Sequence, residues 1–295
     1  MSDESGSSGF LDIPDGFHDY ANSRVVVWPV PYERTTSWGH GTAGGPRAIL
    51  DASAHVECYD DELDWEPYTV GIHTLPETDV SDLAESEGLE RLGALAARYS
   101  VDDKFVLTLG GEHTLSTPII RAVKDKYSDL SVLQIDAHAD LRDSHEGTPH
   151  SHACVMRRVV EICPLVQVGI RSISKEEKDA AAELPTRIFF ARNIVGRTDW
   201  IADAVGSLSE HVYVTIDVDG LDPSIMPATG TPEPGGIGWS ETLELIRQVA
   251  ERRTIVGADI VELSPIDGLH SADFLCAKLG YKIIGYAFKE VTSDK

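Results

Sequence analysis

Three side chains of metal-binding type stand two residues apart in one short segment. Asp136, His138 and Asp140 alternate with two alanines, directly after the apolar run Val132–Ile135. On an extended chain, residues two apart project to the same side. The three side chains are therefore expected to converge on one point while the alanines face the packed side. Carboxylate and imidazole ligands in this pattern predict a divalent metal site.

Other apolar runs end in the same kinds of residue. The run Phe105–Leu109 is followed by "GGEH", the run Val212–Ile216 by "DVDG", and the run Thr254–Val261 by a glutamate. An isolated Asp-x-His-x-Asp segment is more often a loop with capping aspartates. Several apolar runs that all end in such residues favour instead one metal-binding rim at the ends of the strands. The predicted rim consists of His113, Asp136, His138, Asp140, Asp217, Asp219 and Glu262.

The charge of this rim predicts how many ions it binds. Four aspartates at one rim cannot all remain ionised without compensation, because like charges raise one another's pKa. Two divalent ions neutralise four carboxylates, with His113 and His138 as nitrogen ligands. Six ligands for two ions require bridging aspartates, as in dinuclear centres with ions roughly 3.5–4 Å apart. Oxygen-rich ligation with two imidazoles favours manganese, so we expect two Mn²⁺ per chain.

The elements that must position these residues alternate along the chain. Continuously apolar runs are typical of strands in a parallel sheet covered on both faces, and amphipathic segments lie between them. The alternation predicts one three-layer α/β domain over residues 21–295, with ligands bound beyond the carboxyl ends of the strands. Predicted strands are Val25–Trp28, Val70–Ile72, Phe105–Leu109, Val132–Ile135, Val166–Gly169, Ile188–Phe190, Val212–Ile216 and Thr254–Val261. Predicted helices are Val80–Tyr99, Thr117–Tyr127, Ala153–Cys163, Lys175–Leu184, Thr198–Leu208, Ser240–Arg252 and Ser271–Glu290.

The net charge bears on the partners of this protein. The chain carries 49 acidic and 25 basic residues, for a net charge of -24. Binding of nucleic acid depends on clustered Lys and Arg that neutralise phosphates, so we expect no nucleic-acid partner. The acidic residues are scattered along the chain, and the composition resembles that of a halophilic archaeal protein.

The hydropathy of the chain bears on its location. No apolar run approaches the roughly 18–20 residues that a membrane helix requires, so we expect no membrane partner. The N-terminal segment "MSDESGSSGF" has neither the basic start nor the apolar stretch of a signal peptide. We predict a flexible acidic tail over residues 1–20 and a cytoplasmic protein.

Five segments together resemble the ureohydrolases, the family of arginases and agmatinases. They are "GGEH", "DAHAD", "SHACVMRR", "TIDVDGLDPSIMPATGTPEPGG" and "DIVELSP", and the similarity spans most of the chain. The resemblance implies an arginase-like fold with a parallel sheet of about eight strands. It implies two Mn²⁺ ions with a bridging hydroxide, and hydrolysis of a guanidino group to an amine and urea. It also implies a homo-oligomer, commonly a trimer or hexamer.

The resemblance also assigns roles to individual residues. It implies that one ion is bound by His113, Asp136, Asp140 and Asp217, and the other by Asp136, His138, Asp217 and Asp219. Glu262 falls where the family holds the guanidinium, and His152 falls where the family has a histidine at the mouth of the site. Thr231 is expected to line the pocket. Asp140 and His152 are both candidates for relaying a proton to the leaving amine, and the sequence does not choose between them.

Two positions bear on the substrate. Arginases hold the α-amino and α-carboxylate groups of arginine with an Asn and an Asp, where this chain has Arg142 and Ser174. Both differences, and the agmatinase-like segments "SHACVMRR" and "PYERTTSW", favour agmatine as the small cationic guanidino substrate, with putrescine and urea as products. The alternatives are 4-guanidinobutyrate, aminopropylagmatine and arginine, because the distal part of the pocket is not readable from the sequence.

Two other classes of protein compete with this interpretation. Asp-x-His pairs also occur in two-metal phosphoesterases, but basic residues that would bind a phosphate are missing around these motifs. A catalytically silent metal-binding protein would normally have lost a ligand, whereas all six are present here. We therefore predict a metal-dependent ureohydrolase.

Overall fold

Eight parallel strands form one sheet in the computed structural model, which describes residues 9–289. Every strand pairing in the sheet is parallel, and the spatial order is β2-β1-β3-β8-β7-β4-β5-β6. The prediction of an α/β fold with a parallel sheet of about eight strands is confirmed. The strands are β1 Val25–Val30, β2 Ile72–Thr74, β3 Phe105–Gly110, β4 Ser131–Ile135, β5 Leu165–Ile170, β6 Thr186–Phe190, β7 His211–Asp217 and β8 Thr254–Val261.

Helices cover both faces of this sheet. Alternate residues of a strand enter different apolar clusters: Val132 packs with residues of α2 to α4, whereas Leu133 and Ile135 pack with residues of α1, α7, α8 and α9. This alternation gives the three layers, because successive side chains of a strand point to opposite faces. The helices of the described residues are α1 Gly45–Ser53, α2 Glu85–Val101, α3 Ser116–Lys126, α4 Val155–Val159, α5 Lys175–Ala181, α6 Ala191–Ile194, α7 Ile201–Gly206, α8 Trp239–Arg252 and α9 His270–Phe288.

The strand order explains why the candidate ligands meet. The four strands that end in candidate ligands are β3, β8, β7 and β4, and these are direct neighbours at the centre of the sheet. Their carboxyl ends lie at the same edge because all four run in parallel. Residues distant in sequence are thus delivered to one rim by a rigid platform.

Several predicted element boundaries are wrong. The predicted strand Val70–Ile72 begins two residues too early, because one turn of 3₁₀ helix occupies Pro67–Val70 and the strand β2 starts at Ile72. Helix α1 was absent from the prediction, although its Pro46 is a typical first-turn residue. The last helix ends at Phe288, and the predicted end at Glu290 lies outside the described residues.

The N-terminal segment is a further correction. Residues 1–8 of the predicted flexible tail lie outside the described residues, but Phe10, Leu11 and Ile13 are buried in the core. The backbone N–H of Leu11 donates to Ser53 Oγ at 2.8 Å, which ties the segment to α1. Residues from Phe10 onward therefore belong to the packed structure, because the apolar Phe-Leu-x-Ile stretch follows directly on the polar residues that suggested a tail.

Within residues 9–289, none of the helices has the length and apolar character needed to cross a bilayer.

Candidate metal centre

His113 stands at the centre of the first ligand group. It follows β3, and its Nδ1 lies 3.3 Å from Asp136 Oδ2, 3.3 Å from Asp140 Oδ2 and 3.7 Å from Asp217 Oδ2. His113 and Asp136 are fully buried. His113, Asp136 and Asp140 have the mutual spacing of side chains that share one metal ion. Asp217 lies slightly farther out.

His138 belongs to a second ligand group beside the first. Its Nδ1 lies 2.9 Å from Asp219 Oδ2 and 3.7 Å from Asp136 Oδ1. Asp136, His138 and Asp219 again have the spacing of a metal site. Because Asp136 belongs to both groups, it has the position of a bridging ligand. The structure thus brings all six predicted metal ligands together.

The ring of His113 is oriented by a buried hydrogen-bond chain. His113 Nε2 lies 2.8 Å from Thr215 Oγ1, and Thr215 Oγ1 donates its proton to Asp259 Oδ1 at 2.6 Å. Since this hydroxyl has given its proton to a carboxylate, it accepts from His113, so the ring proton sits on Nε2. Nδ1 then carries a lone pair, and within the described residues it has no hydrogen-bond partner. An imidazole held in this tautomer is ready to bind a metal.

The aspartates are oriented by backbone amides. Asp219 Oδ1 accepts the N–H of Ala137 at 3.0 Å, and Asp217 Oδ1 accepts the N–H of Asp219 at 2.9 Å. Their Oδ2 atoms are left facing the histidines. Asp136 Oδ1 accepts the N–H of His138 at 2.6 Å. For Asp217 and Asp219, these contacts fix one oxygen of the carboxylate and present the other to the centre.

A pair of buried glutamines supports Asp136 from the sheet. Gln134 Nε2 donates to Asp136 Oδ2 at 2.6 Å, and Gln134 Oε1 accepts from Gln167 Nε2 at 2.6 Å. Gln167 Nε2 also donates to the carbonyl oxygen of Ala139, and Gln167 Oε1 accepts from Thr186 Oγ1. Because both amide protons of Gln167 are used, the amide group of Gln134 must turn its NH₂ toward Asp136.

Burial and mutual repulsion shift the pKa values of the carboxylates. Burial, reinforced by Asp136, raises the pKa of Asp140 to about 7. Burial and neighbouring aspartates raise the pKa of Asp217 well above its usual range. Asp136 departs from this trend, because the adjacent imidazoles of His113 and His138 outweigh the effect of its burial and lower its pKa. A divalent cation would favour the ionised form of each carboxylate, and with the free lone pair of His113 the donor set fits Mn²⁺.

Two of the site residues have a strained backbone. Asp140 has φ of 52° and Glu262 has φ of 65°, in the left-handed region that residues other than Gly rarely adopt. Such conformations cost of order 1–3 kcal/mol each and cluster at functional sites. The backbone of both residues is therefore held where it turns the carboxylate toward the centre.

The remaining predicted site residues line a recess above the ligands. Glu262 Oε1 accepts the backbone N–H of His113 at 2.7 Å, and burial together with Glu112 raises the pKa of Glu262 well above its usual range. Thr231 Oγ1 donates to Asp219 Oδ2 at 3.4 Å. His152 lines the same recess, which also contains His138, Asp140, Asp217 and Asp219. All predicted catalytic and substrate-binding residues therefore share one site.

A wider cavity continues outward from this recess. Its volume is about 340 Å³, and it shares Ser37, His138, Asp140, His152 and Thr231 with the recess. Its outer wall is formed by Arg142, His145, Ser174 and Glu177. The cavity gives a substrate room for a tail several atoms long beyond the metal ligands.

Comparison with known proteins identifies the family. The model of the arginase family matches residues 23–285. The chain belongs to the arginase family. An N(1)-aminopropylagmatine ureohydrolase of Synechocystis sp. is 41% identical over 96% of this chain and 94% of its own. An agmatinase of Bacillus cereus is 36% identical over 84% of this chain and 86% of its own. The crystal structure of the agmatine ureohydrolase of Thermoplasma volcanium superposes with a TM-score of 0.83 at 28% identity, covering 92% of each chain.

Membership of the arginase family settles the class of protein. This family member is a hydrolase that acts on guanidino compounds, as predicted. The alternatives of a phosphoesterase and of a catalytically silent metal-binding protein are thereby set aside. Sequence reasoning missed the residues that orient the ligands, which are Gln134, Gln167, Thr215 and Asp259. The available signal was their polarity, since each stands inside an otherwise apolar strand.

Proposed function

We propose that this arginase-family protein hydrolyses the guanidino group of a polyamine precursor at two Mn²⁺ ions, with N(1)-aminopropylagmatine as its first candidate substrate and agmatine as its second. The motifs alone favour agmatine. The proposal of the longer compound as first candidate is supported by the 41% identity to the Synechocystis protein of that name, against 36% to the Bacillus cereus agmatinase. The cavity of about 340 Å³ beyond the ligands supports this order, because it has room for the additional aminopropyl group.

The ligand sets follow the two groups described above. His113, Asp136, Asp140 and Asp217 would hold one ion, and Asp136, His138, Asp217 and Asp219 the other. When bound, such ions lower the pKa of water toward about 7 and so supply hydroxide at neutral pH. Asp136 and Asp217 would be shared by both ions, and the two oxygens of Asp136 are held apart by the Gln134 amide and the His138 N–H.

Glu262 is the proposed partner of the guanidinium group. The N–H of His113 fixes one of its oxygens, so the carboxylate cannot rotate away from the recess. A carboxylate binds a guanidinium in a planar, bidentate manner, which places the guanidino carbon beside the metal ligands. A bound guanidinium also offsets the burial that raises the pKa of Glu262, so that the carboxylate stays ionised.

Protonation of the leaving amine has two candidates, Asp140 and His152. Burial lowers the pKa of His152 to about 4, helped by the nearby His145, so its ring is neutral at pH 7 and can both accept and donate a proton. Asp140 is turned toward His113, with its Oδ2 3.3 Å from His113 Nδ1, and would be occupied as a metal ligand. We therefore assign the proton transfer to His152.

Discrimination against arginine depends on its α-carboxylate. An unpaired carboxylate would enter a site rich in Asp and Glu and lose its hydration, at a cost of several kcal/mol. Arg142 is the one arginine on the cavity wall among the described residues, and its Nε lies 3.9 Å from Glu177 Oε2. It is the side chain that could bind a carboxylate-bearing substrate.

The test is urea release from N(1)-aminopropylagmatine, agmatine, arginine and 4-guanidinobutyrate. We expect kcat/KM for both polyamine precursors to exceed that for arginine by at least about 10²-fold. The Arg142→Ala variant should leave this order unchanged, and Arg187→Ala, an exposed arginine on β6, serves as its control. Arginine turned over as well as agmatine would refute the proposal. A preference for 4-guanidinobutyrate that disappears in Arg142→Ala would replace it.

A further inference from the structure

We propose that Thr35, Ser37 and His145 form a proton relay through His152, and that Glu112 sets its direction. The proposal rests on the proposed function, because it concerns the proton that the leaving amine needs. It concerns residues outside the metal ligands, on the loop between β1 and α1 and on the loop after β4. The contacts below show how each member is oriented.

Glu112 anchors the inner end of the relay. Its side chain is fully buried, and its Oε2 accepts the backbone N–H groups of Arg34 and Thr35 at 2.5 and 2.6 Å. Its Oε1 accepts the hydroxyl proton of Thr35 at 2.8 Å. Because the carboxylate receives this proton, the oxygen of Thr35 is available to its other neighbours only as an acceptor.

Thr35 fixes the tautomer of His152. Its Oγ1 accepts the backbone N–H of His152 at 3.0 Å and lies 3.2 Å from the ring Nδ1. Ser151 Oγ lies 3.3 Å from the same nitrogen, and its hydroxyl can accept as well. A hydroxyl that can only accept requires a proton on Nδ1, so the lone pair of the neutral ring is on Nε2. The nitrogen that exchanges protons with the substrate is thereby defined, and the ring is held in one orientation.

Ser37 links His152 to the outer cavity. Its Oγ lies 3.2 Å from His152 Nε2 and 3.3 Å from His145 Nε2. The two imidazole rings are 6.1 Å apart and nearly perpendicular, so they do not contact each other through their nitrogens. The hydroxyl bridges them, because it can donate to His152 Nε2 while it accepts from His145 Nε2.

The loop that carries both hydroxyls is itself fixed. Thr35 and Ser37 are two residues apart, and both face His152. The guanidinium of Arg34 donates to the carbonyl oxygens of Val80, Ser81 and Leu83, which ties the loop to the segment before α2. The relay therefore has a rigid frame on the side of the β1–α1 loop.

The proton balance of hydrolysis gives the relay its purpose. The oxygen of water adds to the guanidino carbon with one of its protons, and its second proton passes to solvent. His145 passes a proton through the hydroxyl of Ser37 to the lone pair on His152 Nε2, and His145 recovers a proton from solvent. The bond between the guanidino carbon and the substituted nitrogen then breaks, and that nitrogen takes the proton from His152 Nε2, which returns the ring to its neutral form. The hydroxyl proton on the same carbon passes to the released amine. The products are urea and an alkylammonium ion, so no other reactant is required.

The experiment measures kcat and KM for the substrate that the wild-type enzyme turns over best. Ser37→Ala and His145→Phe should each lower kcat at least about tenfold while KM changes less than about twofold, since a positioned acid or base contributes about 10²–10⁴-fold. Added imidazole should restore part of the lost kcat. Thr35→Val should lose kcat in the same way, and Thr35→Ser should retain it. His150→Phe, on the same loop as His145, is the control that should leave kcat unchanged.

Different outcomes identify which proposal fails. A wild-type protein that releases no urea from any guanidino compound refutes the proposed function. An active wild type whose Ser37→Ala and His145→Phe variants keep kcat within twofold refutes the relay alone. Losses that appear in KM and do not respond to imidazole also refute it, because they would indicate contacts to the substrate in place of proton transfer.

Discussion

Replacing Thr215 by valine tests whether the buried chain behind His113 prepares the metal site. Thr215 Oγ1 accepts from His113 Nε2 at 2.8 Å and donates to Asp259 Oδ1 at 2.6 Å. Valine has nearly the same shape but can neither accept nor donate. The variant therefore removes both hydrogen bonds without opening a cavity.

The expected effect differs between the metal-free and the metal-bound protein. Without an acceptor at Nε2, the proton of His113 can move to Nδ1, where carboxylate oxygens of Asp136 and Asp140 lie 3.3 Å away. The metal-free protein should lose about 1–3 kcal/mol, because the buried Asp259 Oδ1 loses its donor while His113 gains carboxylate partners at Nδ1. A metal ion, in contrast, must displace that proton or leave a buried N–H without a partner, which costs about 1–3 kcal/mol. Because 1.4 kcal/mol is tenfold in affinity, we expect Mn²⁺ binding to weaken about 10- to 100-fold at one of the two ions.

Calorimetric titration of Mn²⁺ and thermal unfolding with and without Mn²⁺ measure both effects. Thr42→Val is the matched control, because Thr42 is fully buried and its Oγ1 has no hydrogen-bond partner among residues 9–289. The control should retain wild-type affinity for both ions. Equal losses of stability in the metal-free and metal-bound forms of Thr215→Val, with unchanged affinity, would refute the reasoning.

Four further predictions concern the metals, the surface and the fold. Wild-type protein should bind two Mn²⁺ per chain and lose its activity on chelation. Asp136→Asn should reduce the binding of both ions, whereas His113→Ala should weaken the binding of mainly one. Metal analysis after dialysis measures both effects. Unfolding midpoints should rise from low to molar KCl if the net charge of -24 reflects adaptation to salt, because salt screens repulsion between surface carboxylates. Lys282→Met should destabilise the protein by about 3 kcal/mol in denaturant titrations, since it leaves the fully buried Asp60 without its cation, whereas Glu62 keeps Arg247. Light scattering should give a trimer or hexamer of the 32.1 kDa chain, and a monomer that is fully active would contradict this.

The parts of the fold that were predictable are those where hydrophobicity alone decides. The central strands β3, β4 and β7 are buried on both faces, so their sequences are continuous apolar runs with clear ends. The short edge strand β2 was shifted because two of its three residues, His73 and Thr74, are polar and partly exposed, which leaves little apolar signal. Helix α1 was missed because it follows a Gly-rich loop, where the local composition favours a turn.

The metal ligands were predictable for a related reason. In a parallel sheet the residues after neighbouring strands meet at one edge, so motifs at strand ends can be combined without knowing the fold in detail. The residues that orient the ligands carry no such signal. Thr35 and His152 are separated by 117 positions, and Thr215 and His113 by 102, so these contacts depend on the order of strands and the path of loops. A polar residue inside an apolar strand, such as Gln134, was the only local indication.

The orientation of these supporting residues also connects metal binding to the stability of the sheet. In the metal-free chain the ligands hold protons: burial raises the pKa of Asp140 to about 7, and Asp219 and Asp136 outweigh the burial of His138 and raise its pKa to about 12. Two ions that displace these protons would be held jointly by residues at the ends of β3, β4 and β7. Since metal affinity gained only in the folded state adds to folding stability, the ions would join β3 to β7 and β4 across the intervening β8, at the edge where the substrate binds. The residues at this edge would then contribute both to catalysis and to the stability of the sheet that positions them.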